Sequence, residues 1–351
     1  MTDGEASDAG AKTAGELIDD ITAAMLKVLS EHVNLTLAHR RLQWFARLLI
    51  CITFMEDSMR MVTTFRNQTM TIIAVSRAGA LPVAPENAWM VVVFSAVVQA
   101  AGSAAVLLEK RELLGCVTLI AWCFVHPAIY AQMGNYEFLA ETLTVVGGLC
   151  ILLSHLKEMR AARATILPGV SAQLPGAPAS DWLCLLGRVL LCSYFVYYGF
   201  EKMRAIVVGK ITVQAGMMEG VLMMLLGYVC ALIVIGSRSR RIALGLACIM
   251  FVSNIVFHPF WYFWMIGHSV ISVERLEDLK TRLPIDLSRL GSTMSPESSL
   301  GVYDHERYFF FQRLSTVGAL VLLAVYGPGR HSVDEPNAPV HMERFTGKGR
   351  D

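Results

Sequence analysis

Apolar residues run along this chain in eight stretches of about twenty, divided mostly by short polar breaks. They fall near Gln43–Val62, Ala88–Leu108, Leu113–Met133, Phe138–His155, Trp182–Lys202, Met217–Gly236, Ile242–Ile266 and Tyr308–Tyr326. A helix rises about 1.5 Å per residue, so about 20 such residues match the roughly 30 Å hydrocarbon core of a bilayer. The pattern predicts an all-α polytopic membrane protein with eight transmembrane helices. Ahead of them, Leu17, Ile18, Ile21, Met25, Val28 and Leu29 recur at helical spacing, with Asp19, Asp20, Lys27 and Glu31 between. That spacing predicts an amphipathic helix over 17–42, too charged to cross. Residues 1–16 are polar and acidic, which predicts a disordered tail and not a signal peptide.

Two connections are long. Residues 157–181 are rich in Ala, Pro and Gly and read as a linker, and 267–307 carries mixed charges and then "GSTMSPESS", which reads as an insertion. Residues 327–351 form a polar tail. Arginine and lysine in short loops set orientation. Arg40, Arg41, Arg47, Lys110, Arg111, Lys157, Arg160, Arg163, Arg238, Arg240 and Arg241 all fall on one side of the predicted spans. Both termini, the linker and the tail are therefore expected in the cytosol, and the insertion in the lumen. A sequon at Asn67 would face the lumen, too close to the first span for efficient glycosylation.

The spans repeat. "RLLICITFMEDSMRM" from Arg47 and "RVLLCSYFVYYGFEKM" from Arg188 align with Arg47, Cys51 and Phe54 on Arg188, Cys192 and Phe195, 141 positions apart. His126, Pro127 and Tyr130 fall on His258, Pro259 and Tyr262, 132 positions apart; "LTVVGGL" falls on "LSTVGAL", with Gly147 on Gly318, 171 apart. This predicts a tandem duplication of a four-helix bundle, 43–156 and 182–326, with the lumenal insertion in the second copy. An even number of spans per copy makes the copies run the same way, about an axis along the membrane normal.

Composition agrees with the pattern. The chain has 351 residues, 54% hydrophobic and 17% charged, and its net charge of +1 points to neither nucleic acid nor an acidic substrate as a partner. All eight cysteines lie in hydrophobic segments and none forms C-x-x-C, so no disulfide framework, metal or cofactor is expected from them.

Ionisable residues inside spans cost about 2.5–3.5 kcal/mol each on insertion scales, so they face cavities or partners. Here they gather at one depth: Glu56, Asp57 and Arg60 in the first span, His126 and Tyr130 in the third, Glu141 in the fourth. The fifth adds Tyr198, Glu201 and Lys202, the seventh His258 and Tyr262, and the eighth opens with Gln312 and Arg313. They predict a polar chamber open to the lumen. Arg60 lies one turn from both Glu56 and Asp57, and two acids against one Arg leave an excess negative charge. That excess is matched to an amine of a lumenal ligand. Each H-P-x-x-Y places His and Tyr one turn apart and predicts a kink at Pro. Without H-E-x-x-H or two His on one helix, the pair reads as structural or hydrogen-bonding and not as a metal site.

"LICITFMEDSMRM", "FLAETLTVVGGLCILL", "LGRVLL", "SNIVFHPFW" and "YFFFQRLSTVGALVLLAVYGPGRHSVDE" together resemble the surfeit locus protein four family, from about Leu17 to Glu335 with 281–304 inserted. The resemblance implies an endoplasmic-reticulum cargo receptor that cycles through the intermediate compartment and early Golgi. It would bind soluble secretory proteins in the lumen and engage COPII for export and COPI for return. Family cargo carries short apolar signals, in several cases at the amino terminus, so Glu56 and Asp57 would take the amine while Tyr130, Tyr198, Tyr262 and Trp264 line an apolar slot. The family's C-terminal dilysine is missing from "FTGKGRD", which leaves "RSRR" (238–241) or another signal for retrieval. Membrane lipids are expected partners, and a homo-oligomer is compatible with the bundle.

Each half also resembles DoxX-type four-helix membrane proteins. Two alternatives therefore stand beside the receptor: a quinone-linked oxidoreductase and a lipid or small-solute transporter. The chain has neither C-x-x-C-H nor a G-x-G-x-x-G after a strand, so no enzyme activity is expected.

Overall fold

The computed structural model describes residues 35–79, 83–165, 178–208, 213–261 and 299–333. Their regular structure is helical, with turns between the helices and no strand among them. The chain divides into two compact units, 1–44 and 45–351; of the first, the described part is the opening of one helix. The expected tail 1–16 and most of the amphipathic helix lie outside the described residues, as do the insertion up to 298, Tyr262, Trp264 and the end of the C-terminal tail.

In chain order the helices are α1 Leu35–Thr63, α2 Phe65–Arg77, α3 Ala88–Leu107, α4 Glu112–Ile129, α5 Tyr136–Thr165, α6 Pro178–Leu191, α7 Ser193–Val207, α8 Val213–Ile235, α9 Ser239–Phe257 and α10 Ser299–Tyr326. Among the described residues six segments are long and apolar enough to cross a membrane: Pro85–Leu107, Glu112–Ile129, Tyr136–Ala161, Asp181–Val207, Ser239–Phe257 and Glu306–Tyr326. The other two expected spans are helical as well. However, α1 carries Arg47, Glu56, Asp57 and Arg60, and the apolar part of α8 is the shorter Gly220–Ile235.

Four of the helices that share the core are held together by close glycine contacts. Gly147 of α5 lies so close to α6 that a Cβ there would stand 2.5 Å from the Leu191 amide nitrogen. Gly318 of α10 lies equally close to α1, where a Cβ would stand 2.6 Å from the Ile50 nitrogen. Small residues admit this approach because lipid gives helices no hydrophobic reason to associate, and van der Waals contact must supply it. On the next face, Gly148 of α5 meets Ala319 of α10. The order α6–α5–α10–α1 results, with α5 and α10 the most buried of the six spans and α9 the least.

Along α3, Val92, Ala96, Gln99, Ser103 and Val106 form one buried stripe at three- and four-residue spacing. Gly102 and Gly115 bring α3 against α4: a Cβ on Gly115 would stand 2.8 Å from the Gly102 carbonyl. The predicted fifth span is broken at Cys192, between α6 and α7. There the Cys192 amide turns to the Val189 carbonyl, and the Ser193 hydroxyl donates to Leu190 and to Ala140 of α5.

Several boundaries differ from the sequence reading. The stretch holding Asn67 is helical, in α2, which follows α1 after Thr64 alone. Residues 157–165, expected in the linker, continue α5. α10 begins at Ser299, so Glu306 and Arg307, expected in the insertion, are helical. The His-Pro pairs do not kink helices midway. Pro127 sits in the last turn of α4, while α9 stops at Phe257 with His258 as its cap. A residue before proline is pushed out of the helical region, which ends α9 at His258, whereas His126 stays helical and α4 runs on to Ile129.

Candidate functional site

Asp57 joins the polar ends of α1, α3 and α4. It is 5% exposed, and its two oxygens are divided between neighbours. Oδ1 accepts from Arg60, one turn along α1; Oδ2 accepts from Gln99 Nε2 of α3 at 2.8 Å and stands 3.8 Å from His126 Nε2 of α4. The histidine ring is fixed by aromatic neighbours, with Tyr130 at 4.7 Å and Trp122 and Phe138 both at 5.7 Å. The Tyr130 hydroxyl is buried and unpartnered among the described residues.

A cavity of about 40 Å³ opens against this carboxylate. Its polar lining is Asp57, Gln99, His126, Thr53, Thr142 and Gln312; its apolar walls include Phe54, Trp122, Phe138 and Tyr308. Thr53 donates to Gln312 Oε1 at 2.9 Å, tying α1 to α10 on the floor. A water needs about 10–15 Å³ on this measure, so the space holds a few waters or one ammonium group, not a whole peptide.

The remaining acids are paired by a helix the sequence reading had partly given to a loop. Arg307 Nε of α10 meets Glu56 Oε1 at 2.8 Å, and Arg313 Nε meets Glu141 Oε1 at 3.7 Å. Glu56, Asp57 and Glu141 thus each have an arginine, and the expected excess negative charge is cancelled. The reason is the early start of α10. Tyr308 of the same helix stacks on Phe138 at 6.1 Å and lies under the Arg60 guanidinium at 5.7 Å.

The other candidates fall into separate groups. His258 is not beside His126; its Nδ1 meets Glu306 Oε2 at 2.7 Å and its ring stacks on Phe309 at 6.0 Å. Arg313 lies over Tyr194 at 5.6 Å, Tyr194 faces Tyr198 at 6.3 Å, and Lys202 lies over Tyr198 at 5.6 Å. Glu201 turns away to Arg204 at 3.4 Å, on a side chain 40% exposed. Tyr262 lies outside the described residues. Sequence reasoning missed Gln99, Glu306, Arg307 and Tyr308. The signal for Gln99 was available: it is the one amide in the apolar run "VVVFSAVVQAAGSAAVL".

Two arginines hold the opposite end. Arg47 donates to the Tyr326 hydroxyl and to Glu109, both at 3.3 Å, and pairs with Glu112 at 3.5 Å. Arg188, fully buried, donates to the backbone carbonyls of Val234, at 2.9 Å, and His331. The turn leading there needs left-handed Gly327 and Gly329, at φ +89° and +77°, a region that favours glycine. Cys184 donates to the Pro328 carbonyl between them. Near Arg47, the rings of His155 and Tyr326 stack at 3.8 Å.

Comparison with known proteins places this architecture. The chain is 28% identical to the surfeit locus protein 4 homolog of Schizosaccharomyces pombe over 290 residues, covering 82% of this chain and 79% of the relative. It is 23% identical to the ER-derived vesicles protein ERV29 of Saccharomyces cerevisiae over 299 residues, covering 83% and 75%. It is 21% identical to the surfeit locus protein 4 homolog of Drosophila melanogaster over 290 residues, covering 83% and 87%. No solved structure matches. Residues 22–269, well over half of the chain, match the SURF4 family, and the chain belongs to that family.

Proposed function

We propose that this chain is a receptor in the membrane of the endoplasmic reticulum. It binds soluble secretory proteins from the lumen, carries them into COPII vesicles toward the Golgi, and returns with COPI; it is not an enzyme. The observation that carries this reading is Asp57: a buried carboxylate facing a cavity sized for an ammonium group. It stands in a family whose yeast relative is named for ER-derived vesicles. The free amine of a cargo amino terminus pairs with Asp57, and His126 and Gln312 supply polar contacts. The first apolar side chains of the cargo lie against Phe54, Trp122, Phe138 and Tyr308, since the cavity is too small to hold them.

In this reading α1 and α8 also cross, giving eight spans, cytosolic termini and a lumenal chamber. The halves descend from one four-helix unit. Equivalent contacts support this: Gly147 against Leu191 has its counterpart in Gly318 against Ile50. The Tyr194 amide donates to Thr144 Oγ1 at 3.2 Å, as the Thr53 amide donates to Ser315 Oγ at 3.3 Å. His126 beside Phe138 matches His258 beside Phe309. Every pair keeps the offsets of 141, 132 and 171 read from the sequence. Gly148 meets its own counterpart Ala319, and His155 stacks on its own counterpart Tyr326, as residues beside a pseudo-two-fold axis must.

Two measurements test the receptor. Deleting the protein and comparing secretomes should show a few soluble proteins retained inside the cell; unchanged secretion would refute the proposal. Asp57→Asn should lower stability, because it strips Arg60 of its counter-charge, and the receptor that does fold should lose crosslinking to retained cargo when capture is counted per receptor.

A further inference from the structure

Glu56 and Asp57 are adjacent acids one helical turn from the same arginine, but they are not equivalent. Asp57 faces the cavity; Glu56 does not line it. Arg60 sits on Asp57, so the carboxylate assigned to cargo is already paired with a cation of the chain itself. Arg60 has somewhere else to go. Glu56 lies four residues earlier, the spacing at which an acid and a following base meet best on one helix. Its Oε1 pairs with Arg307 Nε at 2.8 Å, while its Oε2 is buried without a hydrogen bond among the described residues, as is the Arg60 Nε. Tyr308 lies under the guanidinium and offers a surface along which it can swing.

We propose that Arg60 is an internal competitor, holding in the empty receptor the carboxylate that the cargo amine takes, and that Glu56 is the acid onto which Arg60 is handed. The proposal rests on the amine-binding reading of the chamber given above. It divides the acidic pair into a ligand contact, Asp57, and a parking place, Glu56. It also explains selectivity. A neutral group cannot displace a guanidinium from a buried carboxylate, because burial without a counter-charge is costly. An ammonium replaces it charge for charge, and the one added positive charge stays with Arg60. That side chain is 16% exposed and has acquired Glu56 as a partner.

The decisive experiment is a binding cycle on the full-length receptor in lipid nanodiscs. The probe is a fluorescent peptide beginning Ala-Phe-Leu with a free amino terminus, and its N-acetylated twin is the control. Glu56→Gln should weaken the free-amine peptide about tenfold in the wild-type background, because Arg60 then stays on Asp57. In an Arg60→Gln background the same change should cost less than twofold. An equal loss in both backgrounds would mean that Glu56 touches the amine directly, which overturns the exchange and leaves amine binding standing. Unchanged binding by Asp57→Asn, or equal binding of the acetylated peptide, overturns the amine reading itself. Should Arg60→Gln not fold, the Arg60 Nε–Hε resonance, assigned with Arg60→Lys, provides a second readout. It should shift when peptide binds wild type and stay still in Glu56→Gln; a resonance unmoved in wild type overturns the exchange.

Discussion

Gly148 of α5 packs against Ala319 of α10: a Cβ on Gly148 would stand 2.4 Å from the Ala319 methyl carbon and 2.5 Å from Ile50 Cδ1. Three helices meet there, so the position has no room to give. Gly148→Val should cost about 1–3 kcal/mol by overpacking, read as a lower melting temperature in detergent micelles. Gly245, which has nothing within 4 Å, serves as control. Gly245→Ala should leave melting unchanged or raise it slightly, since alanine is the better helix former by about 0.5–1 kcal/mol.

Gln99 is the only link from α3 to the Asp57 carboxylate among the described hydrogen bonds. Hydrogen bonds to charged groups contribute about 1.5–3 kcal/mol, so Gln99→Leu should lower the melting point and reduce cargo crosslinking several-fold. Gln99→Glu should be worse than Leu, because it buries a second negative charge within hydrogen-bonding distance of the first. Equal behaviour of the two variants would contradict this account.

The two histidines should separate experimentally. His126→Phe keeps the ring stack with Tyr130 and Phe138 and loses only the polar edge facing Asp57. It should fold normally and bind cargo less well. His258→Phe takes from Glu306, which is 3% exposed, a partner at 2.7 Å. Breaking a buried pair costs about 3–5 kcal/mol, so this variant should be depleted at steady state. Comparing abundance with cargo capture per receptor distinguishes the two outcomes.

Arg188 presents a planar fork to two backbone carbonyls, Val234 and His331. Lysine has the charge without the fork, so Arg188→Lys should destabilise the fold by about 1–3 kcal/mol and release the segment after Gly329. A cysteine at Ser332, buried beside Gly236, reports this directly. Its labelling by a membrane-impermeant maleimide should rise several-fold in the Arg188→Lys background.

Helix type and position were legible along most of the chain, because about twenty apolar residues in a row admit few alternatives in lipid. The gathering of Asp57, Arg60 and His126 was legible too, since intramembrane charges must find one another. What escaped was pairing across long sequence separation. Nothing local announces that Arg307 belongs to Glu56, as a polar stretch at 299–307 reads as loop until the helix that carries it is seen. The break at Cys192 was equally silent, because it depends on a hydroxyl of one helix reaching a carbonyl of another.

Glu56 and its counter-ion Arg307 are 251 residues apart. At roughly 5–20 residues per second, the ribosome makes the acid about 10–50 s before it makes the arginine. Thr53 waits as long for Gln312. In the proposed topology α1 therefore leaves the insertion machinery with Arg60 as the only arginine beside Glu56 and Asp57, until the last helix arrives. A chain cut short before α10 lacks Arg307 and Arg313, the counter-ions of Glu56 and Glu141. The ion pairs of the site thus close only in a chain that has been made as far as α10.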